Sequence, residues 1–132
     1  MRRLFCLLVV VSLATLARAG QVAYMDGNRL LGKCEPGISE DRGKLTGDQI
    51  ADSAFCSGYV AGVMDANNAL MNSVAAVKDG PIRPMYCLPS EGIEVGQAVR
   101  ITVKWLKAHP EKLHLQGDAL VWMSLTDAFP CQ

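Results

Sequence analysis

At 132 residues the chain has room for one domain with a real core but not for two. Its charges balance at 13 basic against 13 acidic. With no basic stripe and no aromatics interleaved with Lys or Arg, nothing in it favours nucleic acid.

The chain opens on an export signal. Arg2 and Arg3 form a basic n-region, Leu4 to Leu16 an apolar run, and Ala17-Arg18-Ala19 a small-x-small cleavage site. The expected mature chain starts at Gly20, with residues 1–19 as the signal peptide and 20–132 as the folded domain. The apolar run falls short of the ~20 residues that a membrane span needs, and no second run is longer, so no membrane anchor is expected after cleavage. Losing Arg2, Arg3 and Arg18 leaves ten basic against thirteen acidic residues, a formal charge of −3. Cys6 leaves with the signal, and Cys34, Cys56, Cys87 and Cys131 remain. An even cysteine count in a short exported chain reads as two disulfides.

The elements follow in chain order. From Val22 to Cys34, Tyr24, Gly27, Leu30, Leu31 and Cys34 recur at three- and four-residue spacings, one apolar helical stripe. Residues 35–47 are rich in Gly, Pro and charge, which marks a solvated loop. Thr46 and Gln49 make a capping box, and Asp48 sits in the first turn of the helix they open, expected to run to about Asn72. Ala51, Phe55, Gly58, Tyr59, Gly62, Ala66 and Leu70 lie along one face of it. Each interior glycine costs a helix about 1 kcal/mol against alanine, so Gly58 and Gly62 suggest a neighbouring helix at close approach. Asp65 on this helix would need a partner if buried. Residues 73–92, with Asp79-Gly80-Pro81, Pro84, Pro89 and Gly92, read as a long irregular connection. A third helix over Val95 to Lys107 would bury Val95, Val99, Thr102, Val103 and Leu106, and His109-Pro110 ends it. A last helix over Leu115 to Ala128 aligns Leu115, Ala119, Trp122, Leu125 and Phe129, and Pro130 stops it. No stretch alternates with the period of two that a half-buried strand shows. The expectation is an all-α, disulfide-stapled bundle of four main helices.

Four cysteines allow three pairings. Simple antiparallel topology favours Cys34–Cys56 with Cys87–Cys131. The long 73–92 connection keeps Cys56–Cys87 with Cys34–Cys131 as a rival. Cysteines committed to disulfides leave no thiolate for a Cys–His nucleophile. His109 and His114 straddle a proline without a third ligand near them, which leaves no metal site. His109 reads as a polar helix terminus and His114 as a solvated residue. No phosphate loop, nucleophile elbow or His-Glu-x-x-His is present, so the expectation is a protein that is not an enzyme and carries no cofactor.

One pattern spans nearly the whole mature chain. Tyr24-x-x-Gly27-x-x-x-Leu31-x-x-Cys34 opens it, and Cys56-x-Gly58-Tyr59-Val60-x-Gly62-Val63-x-Asp65 follows. Cys87-x-Pro89-x-x-Gly92-Ile93 then leads through Gln97, Val103 and Trp105-Leu106 to His109-Pro110-Glu111-x-Leu113, and Ala128-Phe129-Pro130-Cys131 closes it. This resembles the immunity proteins of type VI secretion amidase effectors, the Tai or resistance-associated protein family. Tyr24 stands where Phe is commoner, and Glu94 where a capping Thr or Ser is expected, which weakens the start of the third helix. The resemblance implies a small helical periplasmic protein, often a homodimer, that blocks the cleft of a peptidoglycan amidase delivered by sister cells. In that reading Tyr24, Gly27, Gly58, Tyr59, Gly62, Asp65, His109, Pro110, Phe129 and Pro130 are scaffold. The irregular segments 35–47 and 73–86 are then the expected contact surface, with Arg83 and Met85 as candidate contacts. The alternative is a small periplasmic stress or chaperone-like protein with no amidase partner.

Overall fold

A computed structural model describes residues 25–75 and 84–131, and of these the side chains of Arg42, Val74 and Ala75 are not described. The signal peptide, Tyr24 and Arg83 therefore lie outside the described residues. Four helices carry the fold: α1 (Gly27–Cys34), α2 (Gly47–Ala75), α3 (Val95–Ala108) and α4 (Gly117–Ala128). Short 3-10 turns at Glu35–Ile38, Arg42–Lys44 and Pro110–Lys112 join them. Among the described residues no strand forms, only an isolated antiparallel bridge between Asp26 and Gln116. The chain is all-α and stapled by two disulfides, as its sequence suggests.

Local chemistry sets the boundaries. Asp26 caps α1, its carboxylate accepting from the Arg29 N–H at 2.9 Å, which places the first helical residue at Gly27. The capping box of α2 closes in both directions: the Thr46 N–H donates to Gln49 Oε1 at 2.9 Å and the Gln49 N–H to Thr46 Oγ1 at 3.3 Å. Glu94 caps α3 without a side-chain hydrogen bond, in keeping with the missing Ser or Thr. His109 caps its far end, and Pro110 begins the next 3-10 turn. In the turn before α3, Gly92 holds a φ of 74° while its N–H donates to the Pro89 carbonyl at 2.8 Å, a conformation that other residues adopt at a cost.

The core draws on all four helices. Leu30 and Cys34 of α1 meet Cys56 and Val60 of α2, Val103 and Leu106 of α3, and Leu120, Val121 and Leu125 of α4, all at most 1% exposed. Two buried hydroxyls satisfy each other within it. Thr102 and Ser124 lie 3.1 Å apart, and Ser124 also donates to the Val121 carbonyl at 2.8 Å. Both disulfides take the favoured pairing, Cys34–Cys56 with Cα atoms 5.0 Å apart and Cys87–Cys131 with 4.9 Å. The first is buried in the core, whereas both cysteines of the second are exposed.

Two stripes point differently from their expected direction. On α2 the inward seam is Cys56, Val60, Val63, Met64 and Asn67. The expected apolar face turns outward: Ala51, Phe55, Gly58, Gly62, Ala66 and Leu70 are all exposed, and only Tyr59 is half-buried. The bridge to Cys34 decides this, because Cys56 must face α1 and carries its side of the helix inward. On α4 the fully buried row is Leu120, Val121, Ser124 and Leu125. Leu115, Ala119, Trp122 and Phe129 flank that row as partly buried residues.

Candidate interaction surfaces

The first segment of the motif is a close-packed joint. Gly27 and Gly117 sit where the start of α1 crosses the segment leading into α4. The Gly27 N–H donates to the Leu115 carbonyl at 3.1 Å, the Asn28 N–H to Leu113 at 3.2 Å, and the Gly117 N–H to Met25 at 2.7 Å. A Cβ on Gly27 would stand 2.8 Å from Leu113 Cα and 2.5 Å from Leu120 Cδ1. Tyr59 reaches the same joint, since a Cβ on Gly117 would lie 3.0 Å from its hydroxyl. Burial raises the Tyr59 pKa, and the nearby Asp118 carboxylate adds to the shift.

Gly58 and Gly62 behave in the opposite way. Among the described residues a Cβ at either would meet nothing within 4 Å, so no described helix approaches them. The expectation of close packing there is corrected: the close approaches are at Gly27 and Gly117. Asp65 is also exposed, while the buried polar residue of α2 is Asn67. Asn67 lies near the Tyr86 hydroxyl, which is buried without closing a hydrogen bond of ordinary geometry.

Two apolar surfaces remain open to solvent. One is the outward face of α2, where Ile50, Phe55 and Leu70 stand 57%, 45% and 44% exposed around the two glycines. The other is a hollow of about 390 Å³ between α3, α4 and the connection before α3, floored by Trp105 and Trp122 and edged by Met85 and Met123. Both methionines are exposed. Met85 is held there from behind, because its carbonyl accepts from Thr126 Oγ1 at 3.1 Å and the neighbouring Cys87 is bridged to Cys131.

The floor of the hollow is fixed by polar ties. Trp105 donates from Nε1 to Asp127 Oδ2 at 2.5 Å. His109 stacks on it with ring centroids 4.1 Å apart, and its Nδ1 lies 2.8 Å from the Trp105 carbonyl. Lys112 Nζ sits 5.2 Å from the Trp105 ring centroid. The hollow thus has an indole floor, a flexible methionine rim, and one charge of each sign at its edge. Tryptophan, methionine and a rigid floor are what protein-recognition pockets favour. Sequence reading singled out Met85 but not its companions. Trp105, Trp122 and Met123 are spread over two helices, and only the fold joins them.

Among the described residues no group of three His, Cys, Asp or Glu side chains is placed to hold a metal ion. No helix among them is long and apolar enough to cross a membrane. His114 is exposed before α4. Phe129 packs partly against the core, its carbonyl accepting from the Cys87 N–H at 2.9 Å, and Pro130 is exposed.

The sequence model of the Rap1a immunity proteins matches residues 26–131. The chain belongs to that family. The match begins at the residue that caps α1 and ends at the last cysteine, so it takes in all four helices and both bridges of this Rap1a-family protein. The family is one of immunity proteins against type VI effectors. No curated protein matches the chain.

Proposed function

We propose that this protein is a periplasmic inhibitor that binds a type VI secreted peptidoglycan amidase and occludes its cleft, protecting sister cells. The observation that carries the reading is the family match across residues 26–131. The export signal over residues 1–19 supports the periplasm, where such an amidase meets its substrate and where disulfides persist. Inhibition of this kind needs binding and no turnover.

The contact surface in this reading is centred on the hollow beside Met85. Its apolar floor takes a side chain from the effector, and Lys112 and Asp127 orient the polar groups around that side chain. The Trp105 ties and the Cys87–Cys131 bridge hold the surface before the partner arrives, which lowers the ordering cost of binding. Arg83, which lies outside the described residues, stays a proposed contact on its place in the sequence alone.

The test is titration calorimetry of the mature protein against a purified type VI peptidoglycan amidase effector from the same cells, with a protection assay in sister cells. Tight binding is expected, and Met85→Asp with Met123→Asp should weaken it by at least ~10-fold, since each places a charge over the indole floor. A mature protein that neither binds that amidase nor protects would refute the amidase reading.

A further inference from the structure

The rim of the hollow beside Met85 carries the thioethers that the fold leaves open to solvent. Of the six methionines in the chain, Met1 belongs to the expected signal, Met64 is 7% exposed, and Met25 and Met71 are partly buried. Met85 and Met123 stand 50% and 40% exposed, and both edge the same hollow. One turn of α4 holds the pair: Met123 lies on it, and Thr126, three residues further on, donates to the Met85 carbonyl. Among the described residues all four cysteines are bridged, so no thiolate competes there for an oxidant. We propose that Met85 and Met123 are a paired site of reversible oxidation, through which a hydroperoxide switches the hollow from an apolar to a polar surface.

The step is a two-electron oxygen transfer. A sulfur lone pair attacks the terminal oxygen of the hydroperoxide, the S–O bond forms and the O–O bond breaks. The proton of that oxygen moves to the departing alkoxide, which leaves as an alcohol, or as water when the oxidant is hydrogen peroxide. Sulfur is oxidised and the peroxide reduced. A dithiol-dependent sulfoxide reductase runs the return: two thiols become a disulfide, and the oxygen departs as water.

The product changes what the hollow can bind. A sulfoxide oxygen is a strong hydrogen-bond acceptor, and donors beside it are already committed: Trp105 Nε1 to Asp127, and Thr126 Oγ1 to the Met85 carbonyl. An apolar partner surface pressed onto the oxidised rim therefore buries acceptors without partners, which weakens binding. That consequence rests on the hollow being the effector contact. The chemistry at the two sulfurs does not.

Hydrogen peroxide is the probe, applied in limiting amounts to the mature protein with both bridges formed. Peptide mass spectrometry should find an added oxygen on Met85 and Met123 about ten-fold sooner than on Met25, Met64 or Met71, and sulfoxide reductases of both epimer specificities should remove it. Both tryptophans of the chain floor the hollow, so their emission reports on this site. It should shift to the red on oxidation of the parent while the circular dichroism holds. A Met85→Leu, Met123→Leu double variant conserves volume, and neither its emission nor its amidase affinity should respond to peroxide. The oxidised parent should bind the amidase at least ~10-fold less tightly than the untreated parent. If the untreated parent binds no amidase, the functional reading fails by itself, and the emission still decides the switch. Oxidation that reaches Met64 as fast, sulfoxides that the reductases leave in place, or an emission that does not move each overturn the proposal. So do an emission that moves equally in the double variant and an amidase bound equally well with both sulfurs oxidised.

Discussion

The glycines supply the sharpest test of the packing. Gly27→Ala places a methyl group 2.5 Å from Leu120 Cδ1, 2.8 Å from Leu113 Cα and 2.9 Å from the Leu113 carbonyl oxygen. The leucine methyl can swing away. The Leu113 backbone cannot, because residues 113–117 are held to residues 25–28 by the hydrogen bonds of Gly27, Asn28 and Gly117. Overfilling a packed site costs about 1–3 kcal/mol, and each hydrogen bond strained by the displacement adds about 1 kcal/mol. Against this, alanine gains at most about 1 kcal/mol of helix propensity. The net expectation is a loss of about 2–3 kcal/mol, or a fall of roughly 8–13 °C in Tm for a domain of this size. Gly58→Ala and Gly62→Ala meet open space and should each raise stability by up to about 1 kcal/mol. Urea and thermal unfolding followed by circular dichroism, with both bridges intact, reads all three. A Gly27→Ala variant within 0.5 kcal/mol of the parent, the ~0.5 kcal/mol scatter of neutral substitutions, would refute the close-approach argument.

Three further outcomes follow from the same geometry. Burial raises the Tyr86 pKa above the ordinary 10.0, with a smaller push from Asp65 and an opposing pull from Asn67, so the unfolded chain loses this proton first. Its contribution to stability is complete below pH 10 and disappears as pH climbs through the raised value; Tyr86→Phe should be neutral to stabilising at pH 7 and flatten the alkaline loss of Tm, leaving the share due to Tyr59. Mild reductant should open the exposed Cys87–Cys131 bridge before the buried Cys34–Cys56 bridge, and alkylation with mass spectrometry at intermediate times should find the label on Cys87 and Cys131 first. Ser124→Ala leaves the Thr102 hydroxyl buried without its partner and should cost about 1–3 kcal/mol, whereas adding Thr102→Val should recover much of that loss in the same urea titration.

How far the sequence carried is clearest on α2. Periodicity reports which residues share a face, and of the group Ala51, Phe55, Gly58, Tyr59, Gly62, Ala66 and Leu70 all but the half-buried Tyr59 share one exposed side. It does not report which way that face points, and the face looks outward. Hydropathy pulled the assignment inward because Phe55 and Leu70 are as apolar as the true seam. The deciding signal was one residue away. Cys56, paired with a cysteine on α1, must point at the core, and Val60, Val63 and Asn67 follow it at helical spacing. Once the bridge is placed, the opposite face is exposed by geometry, and its glycines lose their intrachain explanation. The capping box, by contrast, was fully legible, because both its hydrogen bonds close within four residues. The hollow beside Met85 was not, because Trp105, Trp122 and Met123 become neighbours only when α3 packs against α4. What local chemistry encodes can be read locally, and a surface assembled from three segments has no local signature. The exposed apolar face of α2 is the intermediate case: the spacing is in the sequence, and the fold supplies only the direction in which it looks.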